Sequence, residues 1–199
     1  MIVVGLTGGL ASGKSQTARV FKDLGAVIFD ADLAAKKAVE PGKPAYRAIV
    51  QIFGKNFLNK NNQLNRKKLA NYVFRNPAAL KKLNILIHPG VIFDCLSVIE
   101  KNRRKKGVLV LDVPLLFESK MENLADVIVV VTTSSARALK RTKAMGLEPI
   151  LSKKIVSAQW SLKKKVARAD YVIANNGSVK DLKVQVVKLF QKIKSFKNE

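Results

Sequence analysis

The sequence predicts an α/β fold in which a five-stranded parallel sheet is flanked by helices, with a helical insertion after the second strand. Three observations carry this. Five short runs of aliphatic and β-branched residues, at 2–6, 26–29, 108–112, 127–131 and 171–174, read as buried strands. Helical patterns separate them, and that alternation makes parallel pairs joined by right-handed crossovers. A glycine-rich turn, Gly8-Gly9-Leu10-Ala11-Ser12-Gly13-Lys14-Ser15, lies between the first run and the first helix.

The elements follow in order. The first strand runs into Gly8-Gly9. From Gly13 to about Leu24, the positions of Ala18, Val20, Phe21 and Leu24 suit a helix closed by Gly25. The second strand, 26–29, halts at Asp30-Ala31-Asp32. Residues 33–105 carry no strong strand; helical patterns cover 33–39, 46–53, 66–74, 77–86 and 89–101, with a break at Glu40-Pro41-Gly42-Lys43-Pro44. The third strand is stopped by Pro114. Helices at 134–145 and 152–162 flank a Gly146/Pro149 break between the fourth and fifth strands. The last helix opens at Ser178, with Asp181 three residues on as a capping pair and Leu182, Val186, Leu189, Phe190 and Ile193 as its core stripe. The reading is one domain over 1–199, with a core of 1–32 and 107–199 and an insertion at about 33–106.

A chain of 199 residues with 48% hydrophobic content can hold a core without staples. Its one cysteine, Cys95, lies in an apolar stretch and reads as a buried, inert thiol suited to a reducing cytosol. The first apolar run is too short for a signal or membrane segment, and charges interrupt the later ones, so a soluble, cytoplasmic protein without membrane association is expected. The formal charge is +23, from 37 Lys and Arg against 14 Asp and Glu. Such an excess attracts polyanions. Its runs at 101–106 and 163–165 lack interleaved aromatics, so solvated surface and attraction for phosphorylated small molecules are expected rather than nucleic-acid binding. Nothing in the sequence specifies an oligomeric state.

The turn satisfies G-x-x-x-x-G-K-[ST], and its place between strand and helix is the one the chemistry needs. Glycines let successive N–H groups face phosphate oxygens, and the helix N-terminus adds partial positive charge. Gly8, Gly9, Ala11, Ser12, Gly13, Lys14, Ser15 and Gln16 are therefore expected to bind ATP, a P-loop NTPase arrangement. Lys14 would reach the β- and γ-phosphates and Ser15 would coordinate Mg²⁺. Asp112, at a strand end, is the second candidate for the Mg²⁺ shell. No Asn/Thr-Lys-x-Asp guanine-reading motif is present, and Asp30 and Asp32 stand at the end of the second strand, where α/β sheets bind ligands.

From Ile2 to about Ser178 the chain resembles the dephospho-CoA kinase family. The resemblance rests on Gly5-Leu6-Thr7-Gly8-Gly9 with the P-loop, Asp30-Ala31-Asp32, Glu40-Pro41-Gly42 and Leu64-Asn65-Arg66. It continues through Val73-Phe74-Arg75-Asn76-Pro77, His88-Pro89, Val113-Pro114-Leu115-Leu116-Phe117-Glu118, Gln159, Lys165 and 169–177. It implies phosphorylation of the ribose 3′-hydroxyl of dephospho-CoA by ATP, the last step of coenzyme A synthesis. It also implies an acceptor-binding insertion and a mobile lid at about 134–150. By this resemblance Asp32 is the general base, with a helix cap as its bland alternative. Arg66, His88, Pro114, Leu115, Leu116 and Glu118 are expected on the acceptor side. Gln159, Asn175 and Gly177, with Lys165, are expected on the adenine side. Arg137 and Arg141 share one helix face, and Arg141 matches the family's charge-stabilising lid arginine.

The chain departs from the family pattern at Ala11, where a third loop glycine is usual, at Gln16, where threonine is usual, and at Met145, where a second lid arginine is expected. Lys140 or Lys143 could compensate for the last. The alternatives are another nucleoside or nucleotide kinase on the same scaffold, and a basic nucleic-acid-binding P-loop ATPase.

Overall fold

A computed structural model describes residues 1–195. Strand β1 (Ile2–Gly8) lies at the centre of the sheet, buried along its whole length. It pairs in parallel with β3 (Val108–Asp112) on one side and β4 (Val127–Thr132) on the other. β2 (Val27–Asp30) and β5 (Tyr171–Ala174) form the edges, giving the order β2-β3-β1-β4-β5. All strands are parallel, so their C-terminal ends share one edge of the sheet, and the chain leaves β1 there as the glycine-rich turn.

The strands alternate their contacts because successive side chains face opposite ways. Val4, Leu6, Val108, Val110, Val129 and Val131 pack with Phe21 of α1 (Lys14–Asp23) and with Leu182, Val186 and Phe190 of α9 (Val179–Ser195). Phe21 and Phe190 meet edge to face with centroids 6.1 Å apart. Ser178 caps α9 reciprocally with Asp181, as the sequence predicts. On the other face, Gly5 leaves room for Leu116: a β-carbon there would come within 3.0 Å of its Cδ2.

The chain divides into two compact units. One comprises residues 1–30 and the chain from Val98 onward; the other comprises residues 31–97. The second unit holds α2 (Ala31–Ala38), α3 (Pro44–Phe53), α4 (Arg66–Val73) and most of α5 (Pro77–Asn102), with Ile49, Leu69, Val73 and Ala79 in its core. Cys95 of α5 is buried and free, and burial pushes its thiol up to about 11, as an inert cysteine requires.

Two expectations about helices are corrected. Residues 77–86 and 89–101 are not two helices; α5 runs through Pro89 without interruption. It is also long and apolar enough, by length and composition alone, to cross a membrane, although Asp94 interrupts its apolar run as the sequence reading expects. Ala79, Val91, Cys95 and Asn102 of this helix are buried, while Ile85, Phe93 and Leu96 are exposed. The expected helix at 152–162 is divided. Pro149 at the first turn starts α7 (Pro149–Ser157) early, and Ser161 caps a separate α8 (Leu162–Val166) by accepting from Lys164 N.

Candidate functional site

The turn after β1 has the geometry of an anion cradle. Gly13 adopts φ 95° and caps α1, and a β-carbon there would fall on the Asn175 side-chain amide. Gly8 is equally constrained, because a β-carbon would strike the Val131 carbonyl and Ser12 Oγ. Ala11 also has positive φ, 56°, a conformation that costs an alanine about 1–2 kcal/mol. Its carbonyl and its neighbour's are held in place: Arg141 Nη1 donates to Ala11 O at 3.2 Å and Ser12 O at 3.1 Å, and Asn175 Nδ2 donates to Ser12 O at 2.8 Å.

Lys14, the first residue of α1, is ion-paired with Asp112 at the end of β3. Both side chains are largely buried, 12% and 8% exposed. Register explains the pairing: Asp112 lies opposite Leu6 on β1 and opposite Asp30 on β2. The C-terminal edge of the sheet thus gathers an ammonium, a carboxylate and the loop amides. Ser15 follows Lys14 on the exposed side of the first turn. A hydroxyl and a carboxylate are hard oxygen donors, the set that Mg²⁺ takes alongside phosphate oxygens. Among the described residues no group of three or more His, Cys, Asp or Glu forms a metal cage.

The segment after β3 carries a second pair. Lys165 of α8 is fully buried, donates to Pro114 O at 2.9 Å and faces Glu118 Oε1 at 3.1 Å. Burial lowers its pKa; Glu118 opposes that shift, and the nearby Lys14 charge adds to it. Thr7 Oγ1 donates to the same Pro114 carbonyl at 3.0 Å.

The acceptor-side expectation changes at two residues. Leu116 is wholly buried against Gly5, so its side chain is core and cannot line a substrate channel. Glu118 points inward, with Oε1 accepting from Trp160 N at 2.6 Å and Oε2 buried with no partner among the described residues. Pro114 and Leu115 stay partly exposed.

Arg141 and Asn175 are likewise placed differently from the expectation. Arg141 spends its guanidinium on the two loop carbonyls and on Asn175 O at 3.4 Å; Asn175 spends its amide on the loop. Both brace the P-loop from outside. Arg137 and Met145 are exposed on and just beyond α6 (Ser135–Ala144), and Gln159 is half-buried just before α8. Gly177 packs against the Asp181 side chain, which a β-carbon would overlap. A mostly apolar cavity of about 540 Å³ opens between Gly9, Leu10 and Ser12 of the loop and Leu139, Ser152 and Val156 of α6 and α7.

In the second unit, Asp32 is exposed in the first turn of α2. Because α2 begins at Ala31, Asp32 lies inside the helix and is not its cap. Arg66 opens α4 and donates to Lys36 O at 2.9 Å. His88 is half-buried on α5, and burial holds its pKa below the usual histidine value. Sequence reasoning did not reach the Glu118–Lys165–Trp160 tie or the bracing role of Arg141. Lys165 was masked by its lysine neighbours, and a lone Trp160 beside Gln159 was the only local hint.

With this geometry in hand, the dephospho-CoA kinase family model matches residues 2–181. The chain is 41% identical over 195 residues to dephospho-CoA kinase of Carboxydothermus hydrogenoformans, covering 96% of this chain and 94% of that one. It is 39% identical over 202 residues to dephospho-CoA kinase of Bacillus cereus strain ZK, covering 96% of each. Among solved structures it resembles TT1252 from Thermus thermophilus (TM-score 0.77, 28% identity, 96% and 97% covered). It also resembles dephospho-CoA kinase from Campylobacter jejuni (TM-score 0.66, 27% identity, 96% of each covered). Shikimate kinase from Acinetobacter baumannii, at 16% identity and TM-score 0.54 over 96% and 94% of the two chains, shares the fold.

Proposed function

The chain belongs to the dephospho-CoA kinase family, and from that premise we propose how its residues divide the work of moving a phosphoryl group from ATP to dephospho-CoA. The overall activity is ATP-dependent phosphorylation of dephospho-CoA in coenzyme A biosynthesis. Our reading makes the ribose 3′-hydroxyl the acceptor and the cytoplasm the setting.

Residues 8–16 hold the triphosphate through loop amides and Lys14. The observation that carries this is the Lys14–Asp112 pair at the end of β1 and β3, beside glycines that tolerate no side chain. Phosphates offer Lys14 a stronger partner than Asp112 and draw the ammonium away. Ser15 and Asp112 are the groups that would hold Mg²⁺, which supplies charge neutralisation at the phosphate oxygens. Asp32 accepts the proton of the 3′-hydroxyl as that oxygen bonds to the γ-phosphorus. The bond from phosphorus to the bridging oxygen breaks, and ADP leaves with the electron pair. Asp32 follows Asp30 by two residues, and Asp30 pairs in register with Asp112, which supports this assignment. By the family resemblance, Arg66, His88, Pro114 and Leu115 are assigned to the acceptor. Arg137, Gln159 and Gly177 serve the nucleotide.

The test is ADP release with dephospho-CoA, adenosine, AMP and DNA offered in turn. Release with dephospho-CoA alone is expected, and is abolished in Lys14→Ala. Release driven by DNA and not by dephospho-CoA would overturn the reading.

A further inference from the structure

The segment carrying α6 and α7 leaves the sheet after β4 and rejoins it before β5, so it has two roots. Each root is tied by a side-chain oxygen that accepts a backbone N–H. At the outgoing root, Ser134 N donates to Asn176 Oδ1 at 2.8 Å, and Thr133 Oγ1 donates to Asn175 O at 3.0 Å. At the returning root, Trp160 N donates to Glu118 Oε1 at 2.6 Å. The Trp160 ring lies flat on Phe117, with centroids 5.4 Å apart and planes 5° from parallel.

Glu118 and Phe117 belong to the chain after β3, which also supplies Asp112 and Pro114. Lys165 fixes that chain from α8, through Pro114 O and through the Glu118 carboxylate. One carboxylate therefore joins three pieces: the strand exit that pairs with Lys14, the returning root of the α6–α7 segment, and α8. A buried pair of this kind gives little net stability, because desolvation offsets the attraction. The orphaned Oε2 adds to that deficit. What such a pair does supply is a fixed geometry, since neither partner can move without leaving a charge unpaired in a dry site.

We propose that Glu118 is a positioning residue for phosphoryl transfer, fixing the returning root of the α6–α7 segment to the chain that follows β3. Movement of that segment over the P-loop then proceeds about two anchored ends, and the strand exit bearing Asp112 is held in step with it. The kinetic half of the proposal rests on the kinase reading above; the structural half does not.

Amide hydrogen exchange on the ligand-free protein tests the structural half. In Glu118→Ala, exchange over 149–161 should rise at least tenfold while the outgoing root at 133–138 stays protected. Lys165→Met alone strands the carboxylate and should loosen the same stretch. The neutral pair Glu118→Gln with Lys165→Met keeps an acceptor for Trp160 N and should restore protection there. In the kinase assay, Glu118→Ala should lower kcat tenfold or more with less than a threefold change in ADP affinity, and the neutral pair should recover most of kcat. Unchanged exchange at 149–161 in Glu118→Ala would overturn the proposal. So would uniform acceleration along the whole chain in both Glu118→Ala and the neutral pair. Loss of dephospho-CoA turnover in the unmodified protein would instead strike the functional reading and leave the exchange result standing.

Discussion

Arg141 offers the sharpest test, because its family role and its position here predict different outcomes. A lid arginine that acts only on the transferring group contributes nothing without nucleotide. The structure instead has Arg141 donating to Ala11 O, Ser12 O and Asn175 O at 3.2, 3.1 and 3.4 Å. The first two share one nitrogen and the third is long, so the set is worth one to two charge-assisted bonds, about 2–3 kcal/mol in all. At 2–4 °C per kcal/mol for a chain of this size, Arg141→Ala should lower the melting temperature of the nucleotide-free protein by about 4–12 °C. Ala11 provides an internal control. Its left-handed φ of 56° is maintained by those same carbonyl contacts. Ala11→Gly should stabilise the parent by about 0.5–1 kcal/mol, the relief of strain less the extra chain entropy of glycine. In the Arg141→Ala background that gain should shrink towards zero, because an unbraced loop lets Ala11 relax. Calorimetric melts of the four proteins without ligand complete the cycle. A melting temperature unchanged by Arg141→Ala, together with a fall in kcat, would refute the bracing argument.

Three further outcomes are expected. Asp32→Asn should lower kcat about 100-fold, within the range of general-base catalysis, with little change in melting temperature because the side chain is exposed; near-normal turnover would leave Asp32 as a first-turn carboxylate only. Met145 is 64% exposed, so Met145→Arg should fold normally and raise kcat about 3- to 10-fold by adding lid charge; an unchanged kcat would make the position idle. His88 has its pKa lowered by burial, so as pH falls below about 6.5 the unfolded chain takes the proton first and stability declines. The stability gap between the parent and His88→Asn should therefore move against the parent between pH 7.5 and 5.5, as read from melts at the two values; a pH-independent gap would mean that His88 does not titrate differently on folding.

The strands and the P-loop were legible because their signals are local. A run such as Val108 to Asp112 is apolar at every position, and only a strand covered on both faces is buried throughout, as β3 is. Gly8 and Gly13 were legible as turn residues between β1 and α1 because neither position has room for a β-carbon. The misread helices failed for an equally physical reason. Pro89 removes one N–H and reads as a boundary, yet α5 runs on through it. Trp160 and Ser161 sit in an unbroken helical pattern, but Ser161 caps α8 and the Trp160 amide is taken by Glu118, a residue 42 positions away. No local pattern encodes a bond of that range. Leu116 and Lys165 failed likewise, one apolar and one charged, because burial at these sites is decided by Gly5 and Glu118 rather than by neighbours in sequence.

The two lysines show what this difference means for the chemistry. Lys14 and Lys165 lie close enough for one charge to depress the other's pKa, and the fold tolerates both because each has its own carboxylate. They are not equivalent. Lys14 retains some exposure and pairs with a residue at the open edge of the sheet, so an arriving triphosphate can compete with Asp112 for it. Lys165 has no exposed surface and is also bound to the Pro114 carbonyl, so no ligand can reach it. One pair is therefore exchangeable and the other permanent.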